Sequence, residues 1–243
     1  FMDESQRVTL SDIGTVSEIV KWADELDSEV QEMELVSQFR CDGSDGYLAW
    51  LDDVLEIRET ANFDLKDIDY DIRIMDSPNE VRDLIIECNK TRNQSRILAG
   101  YCWAWLKEGQ NNSDVHDIKI GDFEMSWNLG NTSTFAIDEN SVNEVGCIHT
   151  SQGLEFDYAG VIIGDDMRYE NGHIVTDFTK RAKTDQSLKG IKKLYKENPE
   201  FALKEADEII KNTYRTLMTR GMKGCYVYCT DKNLADHLRE CLK

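Results

Sequence analysis

The stretch IHTSQGLEFDYAGVIIG, from Ile148 to Gly164, places a polar turn between two apolar, strand-like runs. The run EVGCI (144–148) leads into the turn, and YAGVIIG (158–164) follows it. Between them HTSQGLEFD has room for a tight turn with a short helical segment. Because ligands of open parallel sheets bind beyond the carboxyl ends of strands, and this turn follows a strand, we expect it to face a ligand.

The residue types in this turn suit a phosphate or a sugar. Gly153 lets the backbone approach a ligand closely, and exposed N–H groups at a helix start favour an anion. Glu155 can accept a hydrogen bond from a ribose hydroxyl. The alternative is that the Ser, Thr and Glu side chains satisfy only the turn's own backbone. Taken alone, the segment leaves both interpretations open.

Outward from this turn, strand-like runs alternate with amphipathic helices. Helix starts are predicted at Thr15 (a capping box with Glu18), Ser77, Asn198 and Asp231. Strands are predicted at 33–37, 96–103, 144–149, 158–164 and 225–230. The polar stretch 107–139 is predicted to be an irregular or hairpin insertion. This alternation indicates an α/β fold with a mostly parallel sheet and helices on both faces.

Bulk composition restricts the class of protein. The 243 residues suffice for one large α/β domain or two small ones. No apolar run is long enough for a membrane span, and the opening FMDESQRV is not a signal peptide. It reads as the middle of a longer protein, so we expect a fragment. Seven scattered cysteines without a C-x-x-C indicate core thiols of the reducing cytoplasm, and we expect no metal site.

One segment reverses the charge of this acidic chain. The net charge of −19 argues against coating by nucleic acid, but 178–196 is basic. We call its seven cations the basic track: Lys180, Arg181, Lys183, Lys189, Lys192, Lys193 and Lys196. The track is either a solvated face or a nucleic-acid contact. Trp103, Trp105 and Trp127 are either core residues or rings on which bases stack.

The opening stretch resembles motif V of superfamily 1 helicases, T-x-H-x-S-K-G-L-E-F. His149, Ser151, Gly153 and Glu155 match this form, and Gln152 stands at the lysine position. The resemblance implies that Gln152, Gly153 and Glu155 contact the nucleotide and that His149 and Thr150 contact nucleic acid.

Two further segments resemble motifs that supply arginines to the γ-phosphate of ATP. KNTYRTLMTRGMKGCYVYCTD (211–231) is similar to motif VI, which makes Arg220 one such arginine. ELVSQFRCDGSD (34–45) is similar to motif IV, which makes Arg40 the second and places Gln38 beside the nucleotide. A guanidinium suits this role because its fixed fork of donors matches phosphate oxygens.

The first residues resemble motif III, G-D-x-x-Q, with Met2 at the glycine position. Asp3 and Gln6 then lie near the nucleotide, with Gln6 in a γ-phosphate or coupling role. Motifs III, IV, V and VI occur in order, and their forms look closest to the Schlafen group-3-like DNA/RNA helicase domain. The resemblance is thinnest between residues 104 and 140.

The resemblance implies a RecA-like, P-loop NTPase-type three-layer fold. No G-x-x-x-x-G-K-[ST] occurs in the sequence, so the chain is expected to be a second helicase lobe. Residues 1–30 are then the remnant of the first lobe with a connector, and 31–243 the second lobe, with an insertion at about 104–140. ATP and Mg²⁺ are expected mainly on the other lobe, and single-stranded DNA or RNA across both. Lys180, Arg181, Lys192 and Lys193 are the basic residues expected to contact it.

The helicase interpretation requires Arg40, Arg220 and the motif V turn to converge on one exposed rim. Two alternatives stay open. One is a non-catalytic RecA-like module that binds nucleic acid or protein, which Met2, Gln152 and the negative charge favour. The other is an NTPase switch that unwinds no duplex.

Overall fold

The computed structural model describes residues 6–12, 15–31, 33, 41, 45–60, 65, 68–129 and 134–243. Asp3, Gln38 and Arg40 therefore lie outside the described residues. Within these ranges, no helix is long and apolar enough to cross a membrane.

Helices begin where the sequence supplies caps. Thr15 and Glu18 form the predicted capping box, and Ser77, Asn198 and Asp231 each accept a backbone N–H at the start of a helix. These four predicted starts are confirmed. The α-helices are α1 (Val16–Glu25), α2 (Asp45–Val54), α3 (Pro78–Thr91), α4 (Ile148–Ser151), α5 (Ile191–Glu197), α6 (Pro199–Met218) and α7 (Lys232–Cys241).

Seven strands form one sheet in the order β1-β9-β6-β2-β5-β4-β3, parallel except for the β3–β4 hairpin. A second hairpin, β7–β8, leaves the sheet after β6. The strands are β1 (Asp71–Ile74), β2 (Ser95–Ala99), β3 (Ile118–Ile120), β4 (Phe123–Trp127), β5 (Glu144–Gly146), β6 (Phe156–Ile163), β7 (Met167–Glu170), β8 (His173–Thr176) and β9 (Gly221–Cys229).

Helices cover both faces of the sheet, which gives the RecA-like three-layer architecture. On one face α3 packs so closely on β6 that a Cβ at Gly160 would lie 2.7 Å from Val81 and 2.8 Å from Ile85. On the other face α6 buries Ile209, Ile210 and Leu217 against the sheet. Because the central strands are covered on both faces, all five residues of β2 and seven of the eight residues of β6 are buried.

The structure also corrects the sequence interpretation in places. Ile148 and His149 begin α4 instead of ending a strand, and residues 34–37 of the predicted first strand lie outside the described residues. The predicted insertion contains the β3–β4 hairpin, which adds two strands to the sheet. Strand β1, helix α2 and the β7–β8 hairpin were not predicted. The division at residue 30 remains a prediction.

Candidate functional site

The motif V segment runs from one end of the parallel strands to the other. We call the side of the sheet where these strands end the carboxyl edge, and the side where they begin the amino edge. Gly146 ends β5 level with Leu98, which pairs with Val161 near the carboxyl end of β6, whereas the segment ends at Phe156, where β6 begins. Because β5 and β6 are parallel, residues 147–155 must return to the amino edge. The prediction that the whole turn lies beyond the carboxyl ends is therefore wrong for its second half.

At the amino edge the motif V turn meets Arg220. The Arg220 Nη1 donates to the Leu154 carbonyl at 3.1 Å and its Nε to the Thr216 carbonyl at 3.0 Å. The Phe156 N–H donates to the Arg220 carbonyl at 2.8 Å. Two sequence motifs 66 residues apart thus share one hydrogen-bonded corner.

The three predicted nucleotide contacts in this turn are on the surface. Gln152, Gly153 and Glu155 are exposed. Gly153 has φ +83°, and a Cβ built there would meet nothing within 4 Å. The turn therefore presents backbone, an amide and a carboxylate to open space directly beside Arg220.

Arg220 itself is not on an exposed rim. Arg220 is 1% exposed, because its side chain folds back over the end of α6 and donates to the Thr216 and Leu154 carbonyls. The expectation of an exposed guanidinium is therefore not met in this structure. Two of its acceptors are neutral carbonyls, and phosphate oxygens are stronger, charged acceptors.

Buried tyrosines fix the corner that carries Arg220. The Tyr47 hydroxyl donates to the Met218 carbonyl at 3.1 Å, and the Tyr70 hydroxyl donates to the Gly221 carbonyl at 3.0 Å. Burial raises the pKa of both tyrosines well above its ordinary value. Cys41 Sγ lies 3.8 Å from the carbonyl of Thr219. Sequence reasoning missed both tyrosines, because a buried hydroxyl on a distant carbonyl leaves no local signal.

The predicted motif III and IV contacts are described only in part. Gln6 is half-buried and precedes Arg7, whose Nη2 pairs with Glu205 at 2.7 Å. The Asn212 side chain donates to the Arg7 carbonyl at 3.1 Å. These contacts place Arg7, the neighbour of Gln6, against the middle of α6.

At the carboxyl edge, His149 is exposed and its Nε2 lies 3.2 Å from the Ser187 Oγ. Thr150 was also predicted to contact nucleic acid, but its side chain points into the fold. Thr150 is 6% exposed, and its hydroxyl is bonded to the buried Asn128 amide inside the fold. One side of α4 faces solvent and the other faces the core, which a four-residue helix does not reveal in sequence.

Arg181 was also predicted to contact nucleic acid, and the structure buries it. Its Nη1 pairs with Asp166 at 3.1 Å and its Nε with Asp185 at 2.7 Å, while the side chain is 2% exposed. The two carboxylates raise the pKa of Arg181 against the opposing effect of burial, so it stays charged. Arg181 is a structural cation, because contacting nucleic acid would require it to leave two buried carboxylates unpaired.

The Arg181 cluster extends to α6. The Tyr214 hydroxyl donates to Asp166 and accepts the Gly164 N–H at 2.9 Å. Burial raises the pKa of Tyr214 well above its ordinary value, and the Asp166 carboxylate raises it further. Asp185 accepts the Ser187 N–H at 2.9 Å, which connects the cluster to His149.

Two predicted nucleic-acid contacts, Lys180 and Trp103, line one cavity of about 300 Å³ at the carboxyl edge. Lys119 and Tyr228 line it as well and were not predicted. Tyr228 lies on the opposite face of β9 from the core residues Cys225 and Val227, and this alternation was readable in CYVYC. Lys192 and Lys193 are exposed on α5.

The other tryptophans have different environments. Trp127 is fully buried and stacks on Tyr101 with ring centroids 5.3 Å apart, so it is a core residue and not a stacking platform. Trp105 is half-buried beside the same core cluster. Of the three candidates, Trp103 is the one that lines the cavity.

Metal ligands do not converge in the part of the chain that the structure describes. There, no group of three or more His, Cys, Asp or Glu side chains is placed to hold a metal ion.

A comparison with protein families identifies the family of the chain. The family model described as "Schlafen group 3, DNA/RNA helicase domain" matches residues 1–231. The chain belongs to this family. The resemblance and the RecA-like three-layer fold expected from the sequence agree with this family match.

The chain is also similar to a curated protein of unknown character. An uncharacterized protein of Saccharomyces cerevisiae is 26% identical over 220 residues, which cover 84% of this chain and 47% of the relative. The chain thus spans about half the length of that relative.

Proposed function

We propose that this chain is the second RecA-like lobe of an ATP-dependent DNA or RNA helicase or translocase. The proposal is carried by one observation, the 3.1 Å hydrogen bond from Arg220 Nη1 to the Leu154 carbonyl. This bond joins the motif VI arginine to the exposed motif V turn at one edge of the sheet. In the proposed role, that edge faces ATP bound by another lobe.

At this edge each group has a separate task. Arg220 exchanges its carbonyl acceptors for phosphate oxygens, which are stronger acceptors for a guanidinium. Glu155 accepts from a ribose hydroxyl, and the backbone at Gly153 leaves room for close approach. Gln152 lies beside them, and Gln6, Gln38 and Asp3 are proposed to complete the nucleotide contacts.

Arg40 is proposed as the second arginine. It lies outside the described residues, but the next residue, Cys41, contacts the carbonyl of Thr219, which precedes Arg220. This contact between sequence neighbours supports convergence of motifs IV and VI. Contacts from two arginines to the γ-phosphate stabilise the state in which the lobes are closed on ATP. Hydrolysis removes these contacts, so the lobes separate.

The same elements reach the nucleic-acid side. Motif V extends from exposed His149 at the carboxyl edge to Glu155 at the amino edge, and α6 carries Tyr214 and ends two residues before Arg220. A shift of Arg220 toward a phosphate therefore acts on two elements that also border the carboxyl edge. We propose that this is how the lobe moves a single strand held there by Lys180, Lys192 and Lys193.

The complete activity requires parts beyond this chain. We propose that a first RecA-like lobe of the same protein holds the ATP phosphates and Mg²⁺, and that this chain alone turns over no ATP. ATP supplies the free energy of its hydrolysis, and single-stranded DNA or RNA is the partner. A cytoplasmic location is part of the same proposal.

The test measures ATP hydrolysis by the full-length protein with and without single-stranded nucleic acid. We expect stimulation by the strand, and a loss of about 10³-fold in Arg220→Ala, as for other arginines that contact a transferred phosphoryl group. Arg92→Ala is the matched control, since Arg92 pairs only loosely with Asp157, at 3.5 Å, and is exposed. Wild-type turnover in Arg220→Ala would contradict the proposal.

The burial of Arg220 favours a second candidate, a non-catalytic RecA-like module that binds nucleic acid or protein. That module would bind its partner without ATP hydrolysis in the full-length protein. Hydrolysis without strand displacement would instead identify an NTPase switch.

A further inference from the structure

The cavity at the carboxyl edge is formed by segments that leave the sheet in different directions. Its volume of about 300 Å³ lies at the lower end of the range for small-ligand sites. Strands β2, β6 and β9 end at this edge, and the β3–β4 hairpin and the 3₁₀ turn Phe178–Lys180 close it. Its polar and aromatic lining residues are Trp103, Lys119, Asp165, Lys180, Tyr228 and Thr230.

The lining combines cations with aromatic rings. Two ammonium groups, Lys119 and Lys180, face one carboxylate, Asp165, in a chain whose net charge is −19. The adjacent Asp166 is buried and paired with Arg181, which also pairs with Asp185, so Asp166 does not line the cavity. Phosphate suits the ammonium groups, and a nucleobase suits the rings of Trp103 and Tyr228. Burial raises the pKa of Tyr228, which keeps its ring neutral.

Lys180 is attached to a fixed backbone. Its N–H donates to the Asp177 carbonyl at 3.1 Å, and the next residue is the buried Arg181. The Ala182 N–H donates to the Tyr101 carbonyl at 2.8 Å, which ties this segment to the end of β2 beside Trp103. The main chain that carries Lys180 is therefore in place before a ligand arrives.

The other side of the cavity is adjustable. Lys119 pairs with Glu124 at 3.2 Å, and both side chains are largely exposed. Exposed pairs of this kind contribute little free energy. Lys119 can therefore turn from Glu124 to a phosphate at small cost.

We propose that this cavity holds one nucleotide of a single-stranded nucleic acid, with its base against Trp103 or Tyr228 and its flanking phosphates on Lys119 and Lys180. The inference rests on the proposed function, and the cavity is then a site at which the lobe binds the single strand. A strand fits better than a free nucleotide, because the cavity offers two ammonium groups, Lys119 and Lys180, to the phosphates on either side of one base.

The test is fluorescence anisotropy of labelled dT12 and U12 oligonucleotides with the 243-residue chain. Lys180→Gln is expected to weaken binding about fivefold and to reduce the salt slope by about 0.7. Tyr228→Leu is expected to weaken binding at least about fivefold, whereas Tyr228→Phe keeps the ring and binds like the wild type. Lys90→Gln is the matched control, an exposed lysine near the end of α3. Thermal melting verifies that each variant folds.

The outcomes separate this site from the proposed function. If wild type binds and the cavity variants bind equally well, the cavity is not the site, whereas nucleic acid remains a partner. If AMP binding is lost in these variants and oligonucleotide binding is kept, the cavity serves a free nucleotide and the inference is overturned. If wild type binds no oligonucleotide, this site fails, and strand-stimulated hydrolysis by the full-length protein decides the proposed function separately.

Discussion

The two edges of the sheet hold their arginines in different ways. At the carboxyl edge Arg181 lies between two carboxylates, Asp166 and Asp185, and is almost completely enclosed. At the amino edge Arg220 donates to two neutral main-chain carbonyls, beside a turn that is exposed. An arginine between two buried carboxylates has a structural role, because moving it away would leave two buried negative charges without a cation. An arginine on carbonyls gains by exchanging them for a phosphate.

The cluster around Arg181 gives the largest expected effect on stability. Replacing Arg181 by Leu leaves Asp166 and Asp185 buried without their cation, and we expect a loss of about 3–5 kcal/mol in the free energy of unfolding. Urea denaturation measures this loss. Lys183→Leu, an exposed change two residues away, should stay within about 0.5 kcal/mol. A loss below about 1 kcal/mol in Arg181→Leu would contradict the structural role of Arg181, and with it the contrast between Arg181 and Arg220.

Alkaline pH tests the buried tyrosines of both edges together. Tyr47, Tyr70 and Tyr214 have folded pKa values raised well above the ordinary value, chiefly by burial. Stability from this source is complete below the unfolded pKa of about 10 and falls as pH rises above it, because the unfolded chain then loses protons that the folded chain keeps. We expect a total decline of about 4 kcal/mol between pH 9 and 11 for the three groups.

Urea denaturation between pH 9 and 11 measures this decline, and absorbance at 295 nm reports tyrosinate in the folded state. A folded protein in which all tyrosines ionise near pH 10 would contradict the assigned burial.

Single hydroxyl deletions sharpen the comparison. Tyr214→Phe removes a hydrogen bond to the Asp166 carboxylate, whereas Tyr70→Phe removes one to the neutral Gly221 carbonyl. Because bonds to charged groups are stronger, we expect losses of about 1.5–3 kcal/mol for the first and about 0.5–1.5 kcal/mol for the second. Thermal and urea unfolding measure the two stability losses. A larger loss in Tyr70→Phe than in Tyr214→Phe would contradict the stabilisation of the carboxyl edge by hydrogen bonds to charged groups.

The smallest effect is expected at Gly153. Its φ of +83° is unfavourable for a residue with a Cβ, but the surrounding space is open, so Gly153→Ala should cost about 1 kcal/mol. In the full-length protein we expect a raised KM for ATP with unchanged oligonucleotide binding by the lobe. Gly172→Ala, which has φ +88° in the β7–β8 hairpin, is the control for backbone strain away from Arg220. Equal effects of both on KM would remove Gly153 from the nucleotide edge.

Much of the fold was readable in the sequence, because local rules determine it. Capping residues marked helix starts at Thr15, Ser77, Asn198 and Asp231, and each is confirmed. Strand β1 was missed because DIRI is short, polar and half-buried at the edge of the sheet. The β7–β8 hairpin did have a signal, the Asn171–Gly172 pair, and both residues have positive φ in its turn.

The candidate site was only partly readable. The resemblance to helicase motifs V and VI implied that Arg220 and the motif V turn lie together, and the hydrogen bond from Arg220 to Leu154 joins them. The charge pattern could not show that Arg181 is buried while neighbouring Lys180 is exposed. That difference depends on Asp166, a residue 15 positions away that the fold brings within 3.1 Å. The Trp103 cavity likewise depends on segments distant in sequence.

The account's central claim is that Arg220 exchanges its carbonyl acceptors for the terminal phosphate of ATP. A structure of the full-length protein with a non-hydrolysable ATP analogue and Mg²⁺ tests it most directly. The account predicts an Arg220 guanidinium nitrogen within about 3 Å of a γ-phosphate oxygen, with its bond to the Leu154 carbonyl broken. An occupied nucleotide site with Arg220 still on the Thr216 and Leu154 carbonyls would contradict the account.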